Sequence, residues 1–314
     1  MIYRPFGETG MQVSLITFGS MHIEENRLAE NGVSLALLEA LEKGVNTIDT
    51  ARAYGASESI IGKTLKEWKG ERPYLFSKVL PANPKGWRNY LPIDQAFPIE
   101  TIRASVEKSL CELKVDCIDY LQLHQWHYLW TKESGWREAF QELVLEGKIR
   151  YFGVSTQDHE HQAALSVVEK KMISGVQLIY NCFESRPTFT LLPLCLETQR
   201  GVIVRGVMDH GGLSPERLEE SFKKSSALKK CSFEYYSKRL DALFKTAQKW
   251  GIDPKMVATR FCMTPSSVST LTMQLQEPIY LANALQAVQE GPLPLECFNE
   301  ICQNHLWTHN FYEK

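Results

Sequence analysis

Eight short apolar runs, most of them rich in β-branched residues, alternate along the chain with amphipathic stretches of helical length. The runs cover residues 15–18, 46–50, 74–79, 118–124, 151–155, 175–181, 202–206 and 268–273. Runs of this kind suit strands buried on both faces, and their alternation with helices points to a parallel sheet. The intervening stretches carry helix punctuation. Residues 34–43 place Leu37, Leu38 and Leu41 on one face and stop at Gly44; 58–68 stop at Gly70, 136–145 at Gly147 and 235–250 at Gly251. Glycine after the last turn is a common helix stop because it accepts positive φ. Helices are also expected over 99–113, behind Pro98, over 159–170, and over 254–262, where Asp253 is the N-cap and Pro254 the first residue. A helix over 188–198 contains Pro193, which strains that assignment.

Parallel alternation fits either an open sheet or a closed barrel. No G-x-G-x-x-G follows the first run, so the dinucleotide fingerprint of the open fold is missing. Polar residues also end successive runs: Asp49, Lys78, His124, Ser155, Asn181 and Arg205. In a barrel those ends share one mouth, where active sites sit. The expectation is therefore an α/β fold, a (β/α)8 TIM barrel with an N-terminal hairpin and extra loops at the C-terminal face. A length of 314 residues suits a single domain over 1–314, with no linker in it. Residues 81–98 read as a long loop over the mouth, and 209–230, with a basic stretch around 223–230, as either a solvated loop and helix face or a lid over a ligand. The tail, 292–314, carries Phe298, Trp307, Phe311 and Tyr312, and it either folds over the mouth or packs outside the barrel.

Charge and cysteine usage exclude several classes. The formal net charge of -2 gives no electrostatic footprint for nucleic acid or an anionic membrane. No stretch approaches the roughly 20 apolar residues that span a bilayer. The first ten residues have no apolar core of a signal peptide. The 8 cysteines form no C-x-x-C pair, which reads as reduced thiols in the cytoplasm. Cys302, His305 and His309 recur at helical spacing near Cys297, but the gaps are too short for a zinc finger, and no metal is expected.

The most specific segment is Gly44-Val45-Asn46-Thr47-Ile48-Asp49-Thr50-Ala51-Arg52-Ala53-Tyr54-Gly55, followed by Ser57-Glu58 and Ile61-Gly62. Ser77-Lys78, Asp119-Tyr120-Leu121-Gln122-Leu123-His124, Glu146 to Ser155 and Val176 to Asn181 come next in order. In order and spacing this series resembles the aldo-keto reductase family, from about Tyr3 to Ala287. The resemblance implies hydride transfer between a nicotinamide cofactor and a small carbonyl or alcohol. It carries the family's catalytic tetrad onto Asp49, Tyr54, Lys78 and His124.

The chemistry agrees. Hydride addition to a carbonyl puts negative charge on oxygen, which needs a proton donor and electrophilic support. A phenol, with a free pKa near 10, is a poor acid at neutrality. A neighbouring ammonium favours the phenolate, and a carboxylate keeps that ammonium charged when buried. Tyr54 is thus the general acid/base, Lys78 and Asp49 its tuning pair, and His124 the donor that orients the carbonyl.

The resemblance also implies cofactor contacts. Ser155 and Gln177 would hold the carboxamide, with Thr156 where relatives carry Asn. Gly19, Ser20, Met21 and Asp49 belong to the same site, as do Arg205, Gly206, Val207 and Gln276. Arg205 stands where many relatives stack a Tyr on the nicotinamide, and the chain is similar here to a bacterial subgroup with Arg. His22, Trp87, Trp126 and His127 are expected to wall the substrate pocket, with Trp130 a further candidate. The last strand departs from the pattern. Gln274 replaces a Gly, Gln276 a basic residue, and Asn283 and Ala284 a Glu-Asn pair. Those residues hold the adenosine 2′-phosphate and adenine in relatives, and a doubly charged phosphate favours a cation. Three outcomes stay open: NADP(H) held by Lys223, Lys224, Lys229 or Lys230 of the preceding loop; NAD(H); or a redox-neutral lyase, dehydratase or epimerase with atypical cofactor use. The family leans to NADP(H). A nucleotide-binding regulatory subunit is a further alternative, which the intact tetrad disfavours.

Overall fold

The computed structural model describes residues 1–21, 30–82 and 90–307. Strands β1 (Tyr3–Pro5) and β2 (Gln12–Ser14) form an antiparallel hairpin. Its Phe6 is buried against Phe76 and Tyr120, with ring centroids 5.1 and 4.9 Å away. Gly175 and Gly201 make that plug possible, because a Cβ on either would lie 2.6 or 2.5 Å from the Phe6 ring.

Eight strands then close into a barrel of parallel neighbours: β3 (Ile16–Gly19), β4 (Thr47–Asp49), β5 (Tyr74–Val79), β6 (Ile118–Leu123), β7 (Ile149–Ser155), β8 (Gly175–Ile179), β9 (Gly201–Arg205) and β10 (Thr270–Gln274). Closure is made by β10 on β3, with Leu271 opposite Ile16. All eight apolar runs are strands. The last one begins two residues later than its apolar run. Ser269 spends its hydroxyl on the Val202 amide and the Val268 carbonyl accepts from Arg4 Nη1, so both lead into the ladder. Period-two alternation turns Ile48, Leu75 and Leu121 into the main hydrophobic cluster between barrel and helices. It leaves Thr17 and Thr270 hydroxyls 2.6 Å apart in the buried interior.

The helical layer contains α1 (Glu30–Glu42), α2 (Ser57–Leu65), α3 (Ile93–Ala96), α4 (Ile99–Leu113), α5 (Trp136–Leu145), α6 (Leu165–Glu169) and α7 (Leu191–Thr198). It continues with α8 (Leu218–Lys224), α9 (Phe233–Lys249), α10 (Pro254–Met263), α11 (Pro278–Glu290) and α12 (Leu295–Asn304). Gly44, Gly147 and Gly251 hold φ of 88°, 73° and 70° after their helices, and the Asp253 side chain accepts from the Lys255 amide.

Three helix boundaries differ from the sequence reading. Helix α2 ends at Leu65, and Gly70 instead backs onto the Trp68 indole, 2.3 Å from where its Cβ would be. The stretch 159–170 starts with His159 at φ 61° and a 3-10 turn, so only Leu165–Glu169 is α-helical. Before α7, Arg186–Phe189 form a 3-10 turn, which leaves Pro193 in the first turn of α7, where its missing N–H removes no bond. The two long connections carry structure of their own, α3 after β5 and α8 after β9. In the tail, α12 packs against α9 in the outer layer, and the Trp307 amide bonds the Phe183 carbonyl. Phe311 and Tyr312 lie outside the described residues.

Candidate active site

Asp49 ends β4 and Lys78 lies one residue from the end of β5, so both side chains point into the top of the barrel. Lys78 is 1% exposed. Its Nζ lies 2.9 and 2.8 Å from the two Asp49 carboxylate oxygens and donates to the Thr50 carbonyl at 2.9 Å. Tyr54 lies on the turn between β4 and α2. The Lys78 ammonium is 5.0 Å from its ring centroid and hydrogen-bonds its hydroxyl. Burial opposes the charge on Lys78, but Asp49 and Tyr54 outweigh it and leave the ammonium pKa above its ordinary value.

Asp49 is held from further sides. Gln177 Nε2 donates to Oδ1 at 3.1 Å and Thr272 Oγ1 approaches Oδ2 at 3.4 Å. Ser155 Oγ reaches the Gln177 amide oxygen at 3.4 Å. His124 follows β6 and meets the Tyr54 ring edge-on at 5.7 Å. Burial, then the Lys78 and Arg205 charges, push its pKa down to about 3, so the ring is neutral at ordinary pH. Its Nδ1 is buried without a partner among the described residues.

Arg205 ends β9 with Nη2 on the Thr156 carbonyl at 3.0 Å and on Asp158 at 2.8 Å. Its charge holds the Asp158 carboxyl below the usual range. Asp158 went unnoticed in the sequence because its partner is 47 positions away. The fold thus gathers Asp49, Tyr54, Lys78, His124, Gln177, Ser155, Thr156 and Arg205 at the strand ends. Ser20 joins them from β3, its hydroxyl on the Asp49 carbonyl at 3.0 Å.

Other expected positions behave differently. Trp126 is 1% exposed, donates to the Ala163 carbonyl and packs on Trp130 and Trp136. It belongs to the layer beneath the loops, where an apolar ring with its N–H satisfied is well accommodated. Trp130, with its indole on the Leu91 carbonyl, is in the same layer. His127 caps a 3-10 turn by accepting from the Leu129 amide and lies 5.0 Å from the Tyr90 ring. His22 and Trp87 lie outside the described residues. Met21 is exposed. Gly206 takes φ 68° and its carbonyl accepts from Asn181, while Val207 is buried. Gln276 is buried with its amide on the Gly19 carbonyl at 2.6 Å, and the Gln274 amide approaches the Met21 carbonyl at 3.4 Å. Two of the replaced positions therefore stitch the end of β10 to the end of β3. Lys223, Lys224, Lys229 and Lys230 lie on or beside α8. At the start of α11, Arg217 lies 4.9 Å over the Tyr280 ring; at its end, Arg260 is ion-paired with Glu290.

The sequence profile of the aldo/keto reductase family matches residues 15–304. The uncharacterized oxidoreductase YqkF of Bacillus subtilis is 30% identical over 303 residues, covering 91% of this chain and 93% of that protein. The 6-dehydroglucose reductase of Novosphingobium aromaticivorans is 29% identical over 196 residues, 58% of this chain and 62% of its own length. Among solved structures, the holo form of the aldo-keto reductase AKR11C1 from Bacillus halodurans superposes with a TM-score of 0.76 at 24% identity, covering 99% of each chain. With the barrel and the profile match together, the chain belongs to the aldo/keto reductase family, an oxidoreductase family that uses nicotinamide cofactors. No helix among the described residues is long and apolar enough to cross a membrane.

Proposed function

We propose that the protein is a nicotinamide-dependent carbonyl reductase or alcohol dehydrogenase in which Tyr54 moves the proton. The observation that carries this reading is the buried Asp49–Lys78 pair beside the half-buried Tyr54. An ammonium has three N–H donors and no acceptor. Lys78 shares them among Asp49, the Thr50 carbonyl and the Tyr54 hydroxyl. In that contact the phenol oxygen accepts, so its own proton is free to point elsewhere. The bound nicotinamide would supply or accept the hydride. As charge develops on the substrate oxygen, Tyr54 gives up its proton and the adjacent ammonium stabilises the phenolate left behind.

Neutral His124 has one N–H to offer. A buried N–H without an acceptor is a rarer and more costly arrangement than a buried lone pair. That argues for the proton on Nε2 and gives the substrate oxygen a second donor. In the reverse direction the same residues take the alcohol proton back. Ser155, Gln177 and Thr156 would hold the carboxamide, and Arg205, fixed by Asp158, a face of the nicotinamide. Buried hydroxyl and amide groups beside one guanidinium fit a planar polar ring. For the adenosine end we read NADP(H), with Arg217 as the cation that meets its phosphate. A chain with this chemistry and these free thiols suits the cytoplasm.

One observation favours a second reading. No Lys or Arg lies between Arg260 and Lys314, so a redox-neutral reaction with weak cofactor exchange is the alternative. Both are tested with purified protein, para-nitrobenzaldehyde and NADPH or NADH. Loss of absorbance of the reduced cofactor supports the reductase. Tyr54→Phe is expected to lower kcat by about 10²–10⁴ while cofactor binding persists. Wild-type turnover in Tyr54→Phe removes the proton-donor assignment, and substrate loss without cofactor oxidation favours the alternative.

A further inference from the structure

A turn after a barrel strand is ordinarily among the freer parts of such a fold, yet the turn carrying Tyr54 is tied on both sides. Upstream, the Arg52 amide donates to the Lys78 carbonyl at 3.3 Å. Downstream, the Ser57 amide donates to the Tyr54 carbonyl at 3.0 Å, and the Ser57 hydroxyl meets Thr50 and Ser20 hydroxyls at 2.9 and 2.7 Å.

The side chain of Glu58 then joins this turn to β5 and α4. Glu58 is fully buried. Its carboxylate accepts from Ser77 Oγ at 2.6 Å and Ser109 Oγ at 3.2 Å and is ion-paired with Arg52. Arg52 continues to Glu112 at 2.7 Å. Ser77 precedes Lys78 and Arg52 precedes Tyr54 by two residues. One carboxylate therefore holds the neighbours of both partners in the phenol–ammonium contact.

Sequence explains how α4 comes so near. A Cβ on Gly62 would lie 2.2 Å from the Glu112 carbonyl. With glycine there, α2 lies directly on the last turn of α4, which brings Ser109 and Glu112 beside Arg52 and Glu58. Burying a carboxylate and a guanidinium is a poor way to gain stability, since apolar residues of similar size commonly do as well or better. What the pair supplies is direction.

We propose that Glu58 and Arg52 are positioning residues for proton transfer, holding the Tyr54 hydroxyl in register with the Lys78 ammonium. Neither touches the reacting atoms, and the assignment rests on reading Tyr54 as the proton donor.

The test uses the full chain with para-nitrobenzaldehyde and NADPH, beside Tyr54→Phe. Glu58→Gln keeps the shape and removes the charge. Its kcat is expected to fall about 10- to 100-fold, the scale of a misplacement near 1 Å. The KM for the aldehyde and the Kd for NADPH from fluorescence titration stay within about twofold. If Glu58→Gln keeps wild-type kcat while Tyr54→Phe is inactive, the positioning role is wrong. A lowered melting temperature with kcat per folded molecule unchanged is equally fatal, because it marks a structural role alone. If Tyr54→Phe retains turnover, the proton-donor reading fails, independently of the result at Glu58. Should Glu58→Gln not fold, Arg52→Lys keeps the charge but loses the forked geometry. It is expected to show a smaller fall in kcat at unchanged KM, and wild-type kcat in that variant overturns the proposal.

Discussion

The two sides of the barrel mouth differ in how their polar residues are used. On the β4–β6 side, charges are buried and fully engaged: Lys78 on Asp49 and Thr50, Glu58 on Ser77 and Ser109. On the β10–α11 side, the polar residues at the end of β10 are amides that stitch backbone. Gln276 and Gln274 reach Gly19 and Met21 carbonyls, and Ala284 is packed into the core. Glu277 opens α11, and Arg217 reaches across from the segment after β9 to the Tyr280 ring. On the function proposed above, the reaction centre is built into the strands, where position is rigid, and the adenosine end would take its cation, Arg217, borrowed from a connecting segment. Specificity for the reaction would then be more deeply embedded than specificity for the nucleotide.

The largest effect is expected from breaking the rigid side. Asp49→Asn leaves the Lys78 ammonium buried without its counter-charge. Removing one partner of a buried ion pair typically destabilises by about 3–5 kcal/mol. Urea denaturation of variant and wild type measures the difference, and equal stability would mean that the β4–β6 side is not held by this pair. On the borrowed side the effect is smaller and selective. Arg217→Met is expected to raise the Kd for NADPH about tenfold, the scale of one charge-assisted hydrogen bond. The Kd for NADH should not move. Equal, small changes for both nucleotides would take Arg217 out of the phosphate site and turn the reading towards NAD(H).

The contrast also accounts for what the sequence made legible. Each barrel strand was visible because a strand buried on both faces must be apolar along its length. The candidate residues Asp49, Lys78, His124 and Arg205 stood out because they interrupt or end such runs. The turn motif around Tyr54 was legible as a series, but the contacts of Glu58 were not. Its partners Ser77 and Ser109 lie 19 and 51 residues away, and only the close α2–α4 packing at Gly62 reveals them. The packing of Trp126 on Trp130 and Trp136 was not legible, because an aromatic residue just past a strand end reads alike whether it faces a ligand or a helix. The break of 159–170 was hidden for a similar reason. His159 takes φ 61° with its ring 2.6 Å from Glu184, a partner 25 residues on, and periodicity carries no sign of that.

The smallest expected effect is on the pH profile, and it sharpens the account of the rigid side. His124 is held neutral, with its pKa lowered from 6.5 to about 3 by burial and then by Lys78 and Arg205. Its folded value lies below its unfolded one, so as pH falls the unfolded chain takes up the proton first. The stability this neutrality contributes is present above pH 6.5 and is lost progressively as pH falls towards about 3. Catalysis should then show no histidine limb, and kcat should stay level through the region near pH 6.5. Other histidines complicate a single stability curve, since burial also lowers His161 to about 4. The measurement is therefore a difference: urea stability of wild type minus that of His124→Gln across the acid range. It should shrink as pH falls below 6.5, and a difference independent of pH, or a kcat limb near 6.5, would mean that His124 titrates as an ordinary exposed imidazole.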